Sequence, residues 1–252
     1  MTLDFAPAAA PAPFARRVWA HATTEAGLIL RNGEQALLAV VIPIAVLLGG
    51  RYLDGRLGLT FAETAPSVLA LAMWSSCLTT LAIATGFERR YNVLERMAAT
   101  PLGKPGILLG KGLGIGLITG GQVAVLALVA VALGWRPGFT VMSAAAGVTT
   151  SLFAMGAFAG LALAIAGALR PEATLAVANL LYLAGMPLGV LLPVSRLPDW
   201  AQPLVSALPT GALGEGLRAA SEGQALGWPV LVTALWCAGT LALAWKVFKW
   251  TS

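Results

Sequence analysis

The stretch Gly106-Ile-Leu-Leu-Gly110-Lys111-Gly112 comes closest to a motif with chemistry of its own. A phosphate-binding loop needs four residues between its glycines and a Ser or Thr after the lysine to hold magnesium. Here three residues separate the glycines, Gly112 follows the lysine, and the stretch opens an apolar run instead of following a strand. Nucleotide binding is therefore not expected at this point. Other reactive groups are sparse. Cys77 and Cys237 both fall in apolar runs, and His21 is the single histidine. That set offers no spacing for zinc or haem, no disulfide framework, and no nucleophile with a histidine partner. Carboxylates are not paired within the apolar runs either. The expectation is a chain without catalytic residues, cofactor or metal.

The elements that must position the remaining residues are dictated by composition. The chain has 252 residues, of which 58% are hydrophobic and 11% charged, with mean hydropathy +0.82. Soluble domains carry about 25% charged residues, so a soluble enzyme is excluded, and disorder with it. Net charge is +5. The basic residues form no single patch for nucleic acid but sit between apolar stretches, which is the membrane pattern. Six charge-free windows follow: Gln35–Gly50, Thr64–Phe87, Gly112–Trp135, Pro137–Leu169, Ala173–Ser195 and Gly223–Trp245. A spanning helix needs about 20 apolar residues. The first window is the shortest and is extended by Arg51 and Tyr52 at the interface; the fourth begins in a loop after Trp135. The run Trp200–Gly214 is broken by Pro203 and Pro209. The fold expected is an all-α membrane protein with six transmembrane helices. Residues 1–13 read as a disordered tail, 14–34 as an interfacial helix and 35–252 as the six-span domain. Eleven Lys and Arg fall on the side of the termini and five on the other, which predicts both termini in the cytoplasm.

Three segments depart from simple spans and loops. In Phe14–Leu30, Phe14, Val18, Trp19, Ala22, Ala26 and Ile29 recur at helical spacing, with Arg17, His21, Thr24 and Glu25 on the other face. This predicts an amphipathic helix in the inner interface, with Arg16, Arg17 and Trp19 at the headgroup level. Between the second and third windows, Tyr91, Leu94 and Met97 share one helical face, and Glu88, Arg89, Glu95 and Arg96 another; Pro101 ends the helix. Such a short helix fits a groove on a partner protein or is a plain positive-inside loop. On the outer side, Trp200, Leu204 and Leu208 share a face, Pro209-Thr210 breaks it, and Thr210 is positioned to cap a second helix with Leu213 and Leu217. Two short outer-leaflet helices are expected there.

These residues resemble the ABC-2 type permeases, the membrane subunits of bacterial ABC exporters of the drug-resistance kind. Three parts carry the resemblance: Glu88-Arg89-Arg90 through Leu94-Glu95-Arg96 to Thr100-Pro101-Leu102 and Gly110-Lys111; Arg31-Asn32-Gly33-Glu34-Gln35 leading to Ile42-Pro43; and Leu208-Pro209-Thr210 followed by Leu213, Gly216, Leu217 and Arg218. Asn92 stands where many members carry Gly. The resemblance implies a multi-pass protein of the bacterial inner membrane in which two permease chains, identical or homologous, pair above two separate ATPase subunits. ATP and magnesium would then belong to the partner ATPase. It implies that Phe14–Leu30 and Arg89, Arg90, Tyr91, Leu94, Glu95, Arg96 and Met97 form the ATPase-coupling elements. It implies an outer gate at Trp200, Leu204, Leu208 and Pro209.

The substrate would be a hydrophobic drug or a lipid, moved outward. Trp74, Thr79, Thr150 and Phe153 are candidates for its path, though hydroxyls bonded to their own helix and plain packing explain such residues equally well. A self-contained secondary carrier and a non-transporting assembly factor stay open as alternatives. The windows hold no buried Asp, Glu or His of the kind a proton-driven carrier uses.

Overall fold

A computed structural model describes residues 11–55 and 59–250. The first ten residues of the expected tail, and Arg56, lie outside the described residues. Every regular element among the described residues is helical. Helices α1 (Phe14–Arg31) and α2 (Gly33–Tyr52) follow one another across Asn32. Helices α3 (Phe61–Trp74) and α4 (Leu81–Arg90) form one rod joined by a π-helical turn, Ser75–Thr80. The short α5 (Val93–Ala98) leads to α6 (Gly103–Ala132), α7 (Val141–Ala168) and α8 (Pro171–Gly185). Helix α8 ends in a broken turn, Met186–Val190, and a 3-10 turn at Val194–Arg196. Helices α9 (Gln202–Ser206), α10 (Pro209–Ser221) and α11 (Gly227–Val247) complete the chain.

Among the described residues, five helical stretches are long and apolar enough to cross a membrane: Phe61–Arg90, Gly103–Ala132, Val141–Ala168, Pro171–Val190 and Gly227–Val247. The window expected first falls on α2, where the apolar part, Ala39–Tyr52, is shorter than these five. The two short helices expected before the last span are α9 and α10, and the loop after Trp135 is present, with α7 starting at Val141.

Local chemistry sets the helix ends. Thr60 and Glu63 cap α3 reciprocally: Glu63 N donates to Thr60 Oγ1 at 3.3 Å, and Thr60 N donates to Glu63 Oε2 at 2.8 Å. Thr140 and Ser143 do the same for α7. Proline starts α8 and α10, where a missing amide costs nothing. The expected cap at Thr210 is corrected by this: Leu208 precedes α10, Pro209 opens it, and Thr210 is buried within its first turn.

Helix α7 is the central post. It packs along α11, where Thr240 Oγ1 donates to Ala157 O at 2.9 Å and to Trp236 O of its own helix at 2.8 Å. The Trp74 ring meets Phe158 of α7 edge-on at 4.7 Å, and its Nε1 donates to Tyr182 O of α8 at 3.2 Å. In the π turn, Ser76 Oγ donates to Gln122 Oε1 of α6 at 2.7 Å, and Gln122 Nε2 donates to Ala39 O of α2 at 2.6 Å. Two side chains thus tie three helices together in the middle of the bundle.

The packing of α8 on α10 depends on a helix break. Gly189 has φ +87, in the left-handed region that suits glycine. A Cβ at Gly189 would lie 2.4 Å from Gly211 Cα of α10. Backbone strain and overpacking therefore act together there, so Gly189→Ala is expected to lower stability by about 2–4 kcal/mol. An unchanged unfolding midpoint in detergent would show that α8 and α10 do not pack this closely.

Candidate functional site

Helix α1 runs beside α6 in the same chain direction: Phe14 approaches Gly106, His21 approaches Gly110, and Ala22 and Glu25 approach Gly114. A Cβ at Gly110 would lie 2.3 Å from the His21 ring, so the small residue sets how close the helices come. The buried residues of α1 are Val18, His21 and Ala22, while Trp19 is exposed. This corrects the expected division of faces. His21 and Glu25 turn onto α6, and Trp19 points away.

The reason is Lys111, among the largest fully buried side chains of the described residues, 1% exposed. Its ammonium donates to both carboxylate oxygens of Glu25 at 3.0 Å and pairs with Glu88 Oε2 of α4 at 2.5 Å. His21 Nε2 stands 3.5 Å from Glu25 Oε1. A cavity of about 150 Å³ borders the group, with Asn32 and Thr80 in its lining. A buried ammonium is tolerated only when it is paired and hydrogen-bonded. Three helices, α1, α4 and α6, therefore meet on one cation. Burial holds the His21 pKa below its ordinary value; the nearby Glu25 carboxylate opposes this and the Lys111 ammonium adds to it.

From Glu88 the chain passes directly into the expected coupling segment. Arg89 is buried and donates to the carbonyls of Gly167 and Leu169, capping the end of α7. Arg90 pairs with Glu172 in the first turn of α8. Asn92 takes φ 55, a left-handed conformation that Gly and Asn accept most readily. Leu94 is fully buried, and Met97 packs against the same core. Tyr91, Glu95 and Arg96 point outward, Tyr91 at 65% exposure. The seven residues thus divide into an inward set (Arg89, Leu94, Met97), one bridge to α8 (Arg90) and an outward set (Tyr91, Glu95, Arg96). Of the interfacial set, Arg16 and Trp19 are exposed, and Arg17 is half-buried with its guanidinium 5.7 Å from the Phe14 ring centre.

In the expected gate segment, Trp200 and Leu204 are exposed at 75% and 63%, Leu208 is half-buried and Pro209 is buried. In the sequence Arg218 stands as one charge closing the Leu208–Arg218 segment, with no contact assigned to it. The structure buries it. Its guanidinium donates to Ser67 Oγ of α3 at 2.7 Å, to Val190 O at 3.2 Å, to Gly189 O at 2.9 Å and to Glu215 Oε1 at 2.8 Å. Glu215 Oε1 also accepts from Val194 N at 2.8 Å. Arg218 thus clamps the broken end of α8 to α10 and α3.

The four path candidates do not meet. Trp74 and Thr150 are buried inside the chain, and Phe153 is exposed on α7. Thr79 lines a cavity of about 370 Å³ between α2, the π turn and α8, with Ser75, Thr80, Gln122 and Asn179 also in its wall. Thr149 and Ser151 donate to their own helix backbone, at 2.8 Å each.

Five long apolar helices, with charges confined to caps, ends and buried pairs, define a multi-pass membrane protein. A family model described as ABC-2 family transporter protein matches residues 56–246, and the chain belongs to that family, whose members are the membrane permeases of ABC transporters. The match begins after α2, so it leaves out α1 and the Arg31–Pro43 part of the resemblance. No curated protein matches the chain.

Removing Lys111 alone strands two carboxylates, so Lys111→Met is expected to cost about 3–5 kcal/mol. Adding Glu25→Gln and Glu88→Gln to it should recover most of that loss, read as the unfolding midpoint in detergent. Burial makes His21 harder to protonate in the folded chain than in the unfolded one. Its contribution to stability is therefore complete above about pH 6.5 and falls as pH drops toward its lowered folded pKa. His21→Gln is expected to flatten the stability profile in that interval, and an unchanged slope between the two chains would contradict it.

Proposed function

We propose that this chain is the six-span permease of an exporter for hydrophobic drugs or lipids, driven by separate ATPase subunits docked on its inner face. The supporting observation is the knot at Lys111. It joins α1 and α6 to the end of α4, and α4 continues into α5, where Tyr91, Glu95 and Arg96 are offered outward. Neither Glu95 nor Arg96 has an ion-pair partner among the described residues. A push on α5 therefore reaches three helices through one rigid cluster. In this reading Arg89, Leu94 and Met97 anchor the lever, Arg90 links it to α8, and Arg16, Arg17 and Trp19 seat α1 at the headgroups.

Both termini are cytoplasmic, and the membrane is the bacterial inner membrane. A second permease chain, identical or homologous, completes the path. Its wall on this chain is the Thr79 cavity, where hydroxyl and amide groups gather between otherwise apolar helices. Trp200, Leu204, Leu208 and Pro209 form the outer gate, braced from below by Arg218. ATP and magnesium act in the partner. A proton-driven carrier is the weaker reading: Glu25 and Glu88 are half-buried, but they lie at the inner end and are paired with Lys111.

The test is export from vesicles holding the chain together with its co-purified ATPase. Glu95→Arg and Tyr91→Ala are expected to lower ATP-dependent export about tenfold or more with an unchanged unfolding midpoint, since each removes a surface contact and no core contact. Full activity from the chain alone, without ATP, would overturn the reading.

A further inference from the structure

A long apolar groove lies on the opposite side of α6 from the Thr80–Gln122 face. Its volume is about 510 Å³, and it runs from Leu109 to Gly121 on α6, with Leu163 to Leu152 of α7 as the facing wall. Trp19 of α1 stands at the inner end, and Leu241 of α11 adds to the side. The floor is made of Gly112, Gly116, Gly120 and Gly121; a Cβ on Gly112 or Gly120 would meet nothing within 4 Å.

From Leu109 to Gly121 an α-helix rises about 18 Å, a length along which a single hydrocarbon chain can lie. The charge at the inner mouth selects the occupant. Lys104 lies one turn below Leu108, its ammonium 5.5 Å from the Trp250 ring, and Arg16 lies one turn below Trp19. Both cations are exposed, and neither has a carboxylate partner among the described residues.

We propose that the groove between α6 and α7 is a binding site for one anionic phospholipid of the inner leaflet. One acyl chain lies on the glycine floor, and the phosphate sits at Lys104 and Arg16 beside Trp19. The site is separate from the Thr79 cavity, and it does not depend on how the chain is energised.

The test uses the full chain in nanodiscs of equal phosphatidylglycerol and phosphatidylcholine, released into mild detergent and weighed by native mass spectrometry. The wild-type chain is expected to retain one phosphatidylglycerol. Gly112→Leu with Gly120→Leu fills the floor without a backbone clash and should remove the retained lipid, with the unfolding midpoint showing that the chain is folded. Arg16→Gln with Lys104→Gln should keep a lipid but reduce the preference for phosphatidylglycerol, about fivefold per cation removed. Retention by the floor-filled chain equal to wild type would overturn the site. So would a change in the number of chains per particle on filling the floor, because that would make the occupant a helix.

Discussion

A lysine ammonium with no access to water has to be matched where it stands, and at Lys111 this requirement organises the end of the molecule where α1, α4 and α6 meet. Matching it from α6 alone is impossible, because the nearby residues of that helix are Gly, Leu and Ile. The partners come from α1 and α4, so both helices are held at a fixed depth on α6. The glycines at 110 and 114 are the other half of the same constraint. They let α1 come close enough for Glu25 to reach the ammonium at 3.0 Å. Pairing brings two carboxylates to one ammonium, which leaves the cluster short of one positive charge, and His21 is the adjacent group able to supply it. Burial opposes that protonation.

The break in α8 poses a related problem, met by a second buried cation. Breaking α8 at Leu188 and Gly189 frees backbone carbonyls inside a membrane protein, where an unpaired carbonyl is costly. Arg218 supplies several donors in a fixed planar fork and satisfies Gly189 O and Val190 O while also holding Ser67 and Glu215. Lys111 is a point charge that gathers carboxylates; Arg218 is a fork that gathers carbonyls. Each is buried in the role its geometry suits.

How much of this was legible in the sequence depended on whether the signal was local. The loop after Trp135 and the stop at Pro101 are backbone effects written in one or two residues, and they stand where the spacing puts them; Pro209 is as local a signal, but it opens α10 itself, ahead of the Thr210 expected as the cap. The charged residues were not legible in the same way. A window count assigns Lys111 to a loop because it adjoins a charge-free run, yet α6 begins eight residues earlier and carries it inside. Arg89 looks like a surface lever until α7 ends beside it with unpaired carbonyls, a fact that lies some 80 positions away in the chain. Helical spacing also groups Tyr91 with Leu94. The left-handed turn at Asn92 resets the phase between α4 and α5, so Tyr91 points out while Leu94 points in. The Lys111 partners and the Arg218 clamp share one cause. Each joins residues from helices distant in sequence, and no periodicity within a single helix encodes such a meeting.

The two clusters stand at opposite ends of α3 and α4, and this gives the rod a specific mechanical character. In α4 Glu88 fixes it to α1 and α6; in α3 Ser67 fixes it to α10. Between them lies the π turn Ser75–Thr80, where the regular hydrogen-bond ladder is widened and side chains make the connections instead. The first place where the rod departs from regular α-helix is this turn. Ser75, Thr79 and Thr80 of that turn face the cavity between α2 and α8. On the proposed function, a displacement entering at α5 would act on Glu88 through α4, and the clamped ends and the irregular middle would direct it to the stretch whose side chains border that cavity.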